Sequence, residues 1–278
     1  MPLDPDVAYW SEMGEALAFR DIYEAAAALP GDPVGAITAR PGGAVAFAFT
    51  RLDIGFFNRV IGVGVARPAV ESDIDEVVAF YDGARRETSV AQMAPHAAPA
   101  EVVGWFEARG FNRSRTWVKM WHDLASIPDA KTDLRIEVVG PDRMDDFGRL
   151  GVVEAYGFPE VIAPSAGATA GRPGWTHYMG FDGDTPVSTA AMRIEDGVAW
   201  FGFGATSESH RGRGGQSALF ARRLQDARDA GCRFAVVETG KETPEDPNPS
   251  YRNMVRSGFQ LAYDRHNWVR RVPVQPEA

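Results

Sequence analysis

The sequence predicts an α/β protein of two tandem domains, each a mixed, mostly antiparallel sheet flanked by helices. Three observations carry that prediction. Short apolar or alternating runs take turns with stretches of helical periodicity along the whole chain. At 278 residues the chain is long for one domain and comfortable for two. The two halves also echo each other. Ala108-Arg-Gly-Phe111 closes a helical stretch and is followed by Trp117-Val118, and Arg256-Ser-Gly-Phe259 closes another and is followed by Trp268-Val269. The same strand–helix–strand order precedes each, which reads as an internal duplication.

Residues 7–28 read as a helix, with Val7, Trp10, Met13, Leu17 and Ile22 near helical spacing and Pro30-Gly31 stopping it. Strands are expected at Gly35–Ala39 and Ala44–Thr50, about the turn Pro41-Gly42-Gly43, and at Val60–Val65. Ser72 is placed as the cap of a helix carrying Ile74, Val77, Val78 and Tyr81. A strand at Ser89–Met93, a helix at Pro99–Arg109 and a strand at Thr116–Trp121 complete the first half, residues 1–127. Ser126–Asp133, with Pro128, reads as the linker.

The second half, residues 133–272, begins with a strand at Leu134–Val139 and a helix capped by Asp142 that carries Met144, Phe147, Leu150 and Val153. Trp175–Phe181 and Val187–Ile194 form a hairpin. Val198–Ala205 is apolar on both faces and so reads as a central strand. A helix then runs to Ala230 with Gly231 at its C-terminal cap, followed by a short strand, Phe234–Glu238. A Pro-rich loop leads to a helix ending at Gly258, and two strands finish near Arg271.

Composition narrows the function. A net charge of −9 leaves no basic surplus for nucleic acid, and it would steer a cationic partner such as a polyamine, an aminoglycoside or a lysine side chain. The single cysteine, Cys232, rules out an intrachain disulfide and reads as an inert core thiol. Five histidines without HxxxH or HExxH spacing argue against a zinc enzyme. No run spans a bilayer and the N-terminus lacks an apolar leader, so a cytoplasmic protein without membrane attachment, monomeric or homodimeric, is expected.

One stretch carries the chemistry. Between the strand ending near Ala205 and the following helix lie Arg211, Gly212, Arg213, Gly214, Gly215, Gln216 and Ser217. Glycines let the backbone turn inward and present its N–H groups, and a helix N-terminus adds partial positive charge, so the turn suits a pyrophosphate. No Lys precedes Ser217, which excludes a nucleotide P-loop. A dinucleotide fingerprint is disfavoured because the turn follows a hairpin and no further βαβ units come after it. In the first half the corresponding stretch, Ala66–Ser72, holds Pro and Glu where the phosphates would lie.

His210-Arg-Gly-Arg-Gly-Gly-Gln-Ser-Ala-Leu219, between a strand and a helix, resembles the acetyl-CoA motif of the GNAT acetyltransferase superfamily, and the element order over residues 133–271 matches that family's core. Arg211 and Gly214 fill the first two motif positions; Gln216 stands where Gly or Ala is usual. The whole chain looks like a tandem-GNAT protein with a degenerate first copy. The resemblance implies an N-acetyltransferase that uses acetyl-CoA as co-substrate, needs no metal, and acts on a small-molecule amine by direct attack on the thioester. Backbone amides of Arg211–Ser217 would hold the pyrophosphate, and Ala205 and Thr206 would pair with the pantetheine arm. The family's usual acid, a Tyr on the last helix, is replaced by Met254.

Losing that acid need not silence the reaction. A thiol has a pKa of about 8.5, whereas freeing an alkylamine of pKa about 10.4 at pH 7 costs roughly 4–5 kcal/mol. Base assistance therefore matters more. Glu238, ending a strand, is the candidate base, and Tyr251, one turn before Met254, is the candidate acid. A CoA-responsive protein without turnover is the rival reading. Glu208 and His210 beside the turn read as solvated, Asn58 and Arg59 as a surface pair at a strand end, and Trp105, Trp117, Trp121 and Trp268 as packing residues.

Overall fold

The computed structural model describes residues 3–272, which form two compact units. Unit 1 comprises residues up to Lys119 together with Glu238–Lys241 and the segment from Ala262; unit 2 comprises Met120–Val237 and Glu242–Leu261. These units and the sequence repeat are different divisions of the chain, because the end of the second repeat lies in unit 1.

In unit 1, helix α1 (Pro5–Ala27) is capped by the Asp4 carboxylate, which accepts from the Asp6 amide at 2.7 Å. Strands β1 (Ala36–Ala39) and β2 (Val45–Phe49) form a hairpin, β2 pairs antiparallel with β3 (Arg59–Ile61), and β3 pairs parallel with β4 (Thr88–Met93). Helices α2 (Glu71–Gly83) and α3 (Ala100–Ala108) precede β4 and β5 (Asn112–His122). The last strand of the described chain, β11 (Gln260–Arg271), pairs antiparallel with β4, Trp268 opposite Ala91.

Every residue of β2 is buried because both faces of the strand are covered. Phe47 stacks on Phe19 of α1 at 5.0 Å and Phe49 on Tyr23 at 4.5 Å, while Ala46 and Ala48 join Ile74, Val77, Tyr81, Phe106 and Phe111 in a second apolar cluster.

Two of the predicted elements in this unit differ. The strand expected to reach Val65 stops at Ile61, since Gly62 and Gly64 turn the chain with φ of 87° and 76°. Ser72 lies inside the first turn of α2. The Asp73 carboxylate does the capping instead, accepting from the Val70 amide at 2.9 Å and from Arg67 at 2.7 and 2.9 Å.

A larger departure lies under α1. Glu12 and Glu15, one turn apart, are fully buried, and they face a row of polar side chains on the sheet. Glu15 accepts from Arg59 of β3 at 3.3 Å, Lys119 of β5 at 2.5 Å and Arg265 of β11 at 2.5 Å. Arg265 also reaches Glu12 at 3.3 Å, Tyr263 donates to Glu12 at 2.8 Å, and Arg59 donates to Gln92 at 3.0 Å. Asn58 and Arg59 are therefore interior residues. Asn58 bonds the Phe49 amide, Asp53 and the Thr88 carbonyl, and the Arg59 guanidinium packs over Phe19 at 4.3 Å and Phe56 at 4.5 Å.

Unit 2 carries strands β6 (Arg135–Val139), β7 (Trp175–Asp182), β8 (Thr185–Glu195) and β9 (Val198–Thr206) as consecutive antiparallel neighbours, then β10 (Phe234–Gly240) parallel to β9. The Val198 strand is thus central, as its two apolar faces predict. Helix α6 (Gly215–Asp229) joins β9 to β10, and α7 (Pro249–Arg256) follows the Pro-rich loop, capped by Asn248. One long β11 replaces the two strands expected at the end.

The helix predicted after β6 is irregular. A 3₁₀ turn (Pro141–Arg143) leads into a short α4 (Met144–Gly148), and the Arg149–Glu154 segment is a π-helix, with Asp142 in no capping role. Close packing accounts for this: a Cβ on Gly148 would lie 2.1 Å from the Ala163 carbonyl oxygen in α5 (Ala163–Gly167), and one on Gly151 would lie 3.1 Å from Thr189 Oγ1. Among the described residues no helix is long and apolar enough to cross a membrane.

Glu15→Gln tests the buried network. Removing the hub carboxylate leaves Arg59 without a carboxylate and takes one of two from Lys119 and Arg265, and is expected to cost about 3–5 kcal/mol, read from the urea midpoint. Burial alone would raise the Glu15 pKa, but Arg265, Lys119 and Arg59 outweigh it and hold the group far below its ordinary 4.5. A depressed folded pKa contributes stability above 4.5 that is lost as the pH falls toward the folded value, so the gap between wild type and variant should narrow below pH 4.5.

Candidate active site

The site in unit 2 is assembled from one strand and the helix that follows it. Pairing between β9 and β10 runs from Val198 opposite Phe234 to Trp200 opposite Val236. From Phe201 to Thr206, β9 is held on its β8 side, where the register passes from Thr189 opposite Ala205 to Ala191 opposite Gly202. Two residues of β9, Phe203 and Gly204, therefore stand against Ala190, which defines a β-bulge. Phe203 occupies it with φ of 54°. For a residue with a Cβ the left-handed region costs about 1–2 kcal/mol, and such strain collects at functional sites.

Beyond β9 a short 3₁₀ turn (Glu208–His210) leads to the glycine turn. Gly212 and Gly214 have φ of 83° and 82°, conformations that favour glycine. Gly214 is the N-cap of α6 and offers no capping side chain, so the first-turn amides of Gly215, Gln216 and Ser217 have no intrahelical acceptor. Together with the helix dipole they form a site suited to an anion.

The turn is buttressed by the end of the linker. The Thr132 hydroxyl donates to the Arg213 carbonyl at 2.8 Å, and the Lys131 carbonyl oxygen lies 2.1 Å from where a Gly214 Cβ would sit. A cavity of about 320 Å³ opens beside it, bordered by Lys131, Gly214, Ser217, Ala221, Leu224 and Arg256.

The two arginines of the turn differ. Arg213 is clamped by Asp133, at 3.1 and 2.5 Å, and by Asp182 at 2.6 Å. These bonds hold both aspartates below, and Arg213 above, their usual ranges. Its charge is thereby spent on fixing the turn. Arg211 is exposed and has no side-chain partner among the described residues. His210, expected to be solvated, belongs to the same network, with Nδ1 2.9 Å from Ser207 Oγ and Nε2 3.3 Å from Asp182.

Gln216 turns its carboxamide away from the turn and onto the strand end. Nε2 donates to the Ala205 carbonyl at 2.6 Å and lies 3.0 Å from Thr206 Oγ1. Its presence at a position where the resemblance favours Gly or Ala thus has a structural use.

The candidate catalytic residues are placed as follows. Tyr251 is half-buried in the first turn of α7, where its amide donates to Asn248 Oδ1 at 3.2 Å; Met254, one turn on, is buried. Glu238 belongs to unit 1 and lies 3.1 Å from Lys119 Nζ. Burial and then Glu15 push its pKa above the ordinary carboxylate value, against the opposing pull of Lys119 and Arg265. The Cys232 thiol is half-buried, not in the core, and burial raises its pKa. Sequence reading missed Tyr156, whose hydroxyl lies 3.4 Å from the Gly204 carbonyl oxygen.

A bulged central strand, a parallel neighbour that leaves it, and an uncapped helix behind a glycine turn define the α/β fold around the site. Solved structures share this fold. A GCN5-related N-acetyltransferase from Kribbella flavida superposes with a TM-score of 0.62 at 18% identity, over 91% of this chain and 96% of that one. A GCN5-related N-acetyltransferase from Sphaerobacter thermophilus gives 0.59 at 16% identity, over 84% and 82%. A tandem GNAT protein from the clavulanic acid biosynthesis pathway gives 0.54 at 17% identity, over 79% and 76%. The chain thus has the fold of the GCN5-related N-acetyltransferases. No family model and no curated protein matches the sequence.

Two glycine substitutions separate backbone strain from packing. Gly212→Ala meets nothing within 4 Å and should cost only the left-handed penalty, about 1–2 kcal/mol. Gly214→Ala adds a collision with the Lys131 carbonyl and should lower the urea midpoint further.

Proposed function

We propose that the protein is an acyl-CoA-dependent N-acyltransferase, with acetyl as the expected acyl group and the primary amine of a small molecule as acceptor. The observation that carries this reading is the uncapped N-terminus of α6 directly following a strand whose parallel partner leaves it after Trp200. The shared fold with GCN5-related N-acetyltransferases supports the same reading. So does the contrast with α2, whose N-terminus is taken by the protein's own Asp73 carboxylate. That contrast fits a first repeat without a cofactor site and a second that keeps one.

On this reading the amides of Arg211–Ser217 hold the pyrophosphate and the β9 edge at Ala205 and Thr206 pairs with the pantetheine arm. The cavity beside α6 receives the nucleotide end, with Lys131 and Arg256 as its cations. The acceptor nitrogen attacks the thioester carbonyl carbon, the C–S bond breaks, and CoA leaves as the thiolate. A strand amide stabilises the oxyanion. Glu238 takes the amine proton, directly or through water, and burial, which raises its pKa, makes it a stronger base than an exposed carboxylate. Tyr251 or solvent protonates the thiolate.

One observation favours a second reading, a CoA-binding protein without turnover: buried Met254 stands where the resemblance implies an acid.

Acetyl-CoA should raise the melting temperature, and a thiol-release assay over an amine panel should find turnover. Glu238→Gln should lower kcat at least about tenfold with CoA affinity unchanged. Stabilisation without thiol release on any amine selects the binding protein, and absence of CoA binding rejects both readings.

A further inference from the structure

The bulge in β9 is held from outside the strand by side chains that grip its carbonyls. Arg223, from the middle of α6, donates through Nη1 to the carbonyls of Ala191 at 3.1 Å and Gly202 at 3.4 Å, the pair that closes the bulge. Its Nε donates to Leu219 of its own helix at 3.1 Å. Thr189 Oγ1 donates to the Phe203 carbonyl at 2.9 Å, and Gln216 takes the Ala205 carbonyl. A trans peptide points its N–H opposite to its C=O. Fixing the carbonyls of Phe203 and Ala205 therefore aims the amides of Gly204 and Thr206 away from β8 and α6.

Arg223 is an unusual choice for this place. It is 1% exposed, its guanidinium lies over the rings of Phe201 at 4.5 Å and Phe220 at 4.7 Å, and no carboxylate pairs with it among the described residues. Burial pushes its pKa down to about 9, and Nη2 has no hydrogen-bond partner. An apolar side chain of similar length would fill the space without burying a charge. What it could not do is reach two strands and a helix with one rigid fork.

We propose that Arg223 is a positioning residue: it ties the helix that carries the glycine turn to the bulge of β9 and, together with Thr189 on the Phe203 carbonyl, fixes the direction of the Gly204 amide, the donor to the thioester carbonyl oxygen. The chemical half of this inference rests on the acyl-CoA reading; the tie itself does not. The helix that receives the anionic end of the ligand and the strand that receives its acyl end are thereby held as one piece.

Two variants test it. Arg223→Lys keeps a cation but its ammonium stops one bond short of Nη1 and lacks the Nε that bonds Leu219, and Arg223→Met removes the charge at similar length. Amide hydrogen exchange should quicken about tenfold or more over residues 201–206, while residues 215–229 and CoA affinity stay within about twofold. In isotope-edited infrared spectra of bound carbonyl-labelled acetyl-CoA, the thioester stretch should move back toward its solution frequency. Thiol release should fall in kcat with KM for acetyl-CoA unchanged.

Should both variants fail to fold, Thr189→Val frees the Phe203 carbonyl with little change of shape, and the same three readouts apply. Unchanged exchange over 201–206, or an equal rise throughout unit 2, overturns the tie. Faster exchange with an unmoved carbonyl stretch overturns the positioning role. A wild-type protein that binds no acetyl-CoA overturns the acyl-transfer reading and the chemical half of this inference with it, and the exchange result still decides the tie.

Discussion

Glu15 is the constraint on which unit 1 depends. A carboxylate with no access to water accepts from Arg59, Lys119 and Arg265, which come from three different strands. None of these cations could be buried alone, and an apolar core of the same volume would be as stable or more so. What the network adds is specificity of register. Sliding β3, β5 or β11 by one residue would turn its cation to the opposite face and leave Glu15 short of a partner. Helix α1 is fixed in the same way, since Glu12 and Glu15 must both face the row. Glu238 joins this network through Lys119, so the proton affinity of the candidate base, raised first by burial, is adjusted by the charges that order the sheet.

Unit 2 solves its own problem with backbone instead of charge. A strand that loses its parallel neighbour after Trp200 must leave N–H and C=O groups unpaired, and a buried unpaired group is costly. Arg223, Thr189 and Gln216 grip the carbonyls of Gly202, Phe203 and Ala205, so the amides of the same peptides, those of Phe203, Gly204 and Thr206, face the vacated side. Amides are open at the glycine turn as well, where the first turn of α6 has no capping side chain. A ligand with an acceptor oxygen near one end and phosphates at the other meets donors at both places. Arg213, the residue most suggestive of phosphate binding, serves this design indirectly by locking the turn to Asp133 and Asp182.

What could be read from the sequence follows how local each cause is. Gly212 and Gly214 were legible because left-handed backbone demands glycine at that residue, whatever the rest of the chain does. The central strand at Val198 was legible because burial on both faces leaves an unbroken apolar run. Arg59 was not: an Asn-Arg pair beside an apolar run reads as a strand end, and its partners Glu15 and Gln92 lie far away in sequence. Arg265 likewise lies inside β11, buried against Glu12 and Glu15 from the far end of the sequence. Asp142 looked like a helix cap because Asp at that position often is one, but close packing at Gly148 and Gly151 forced the helix into 3₁₀, α and π segments. Arg223 gave no signal, since an arginine inside an amphipathic pattern is normally on the solvated face.

Helices α2 and α6 pose one physical problem and answer it in opposite ways. Each follows a strand and must satisfy the amides of its first turn. In α2 a carboxylate of the helix itself stands at the end: Asp73 accepts from the amide of the N-cap residue Val70, and Arg67 holds that carboxylate in place with two bonds. Gly42 packs against the same carboxylate, where a Cβ would come within 2.5 Å, so the end of α2 is closed by side chain and backbone together. In α6 the acidic groups nearby, Asp133 and Asp182, are drawn off by Arg213, and Gly214 supplies no side chain. An arginine–aspartate pair thus closes one helix end, whereas an arginine with two aspartates keeps the other open. The difference between a helix end with a ligand site and one without is therefore decided by where the local carboxylates are made to go.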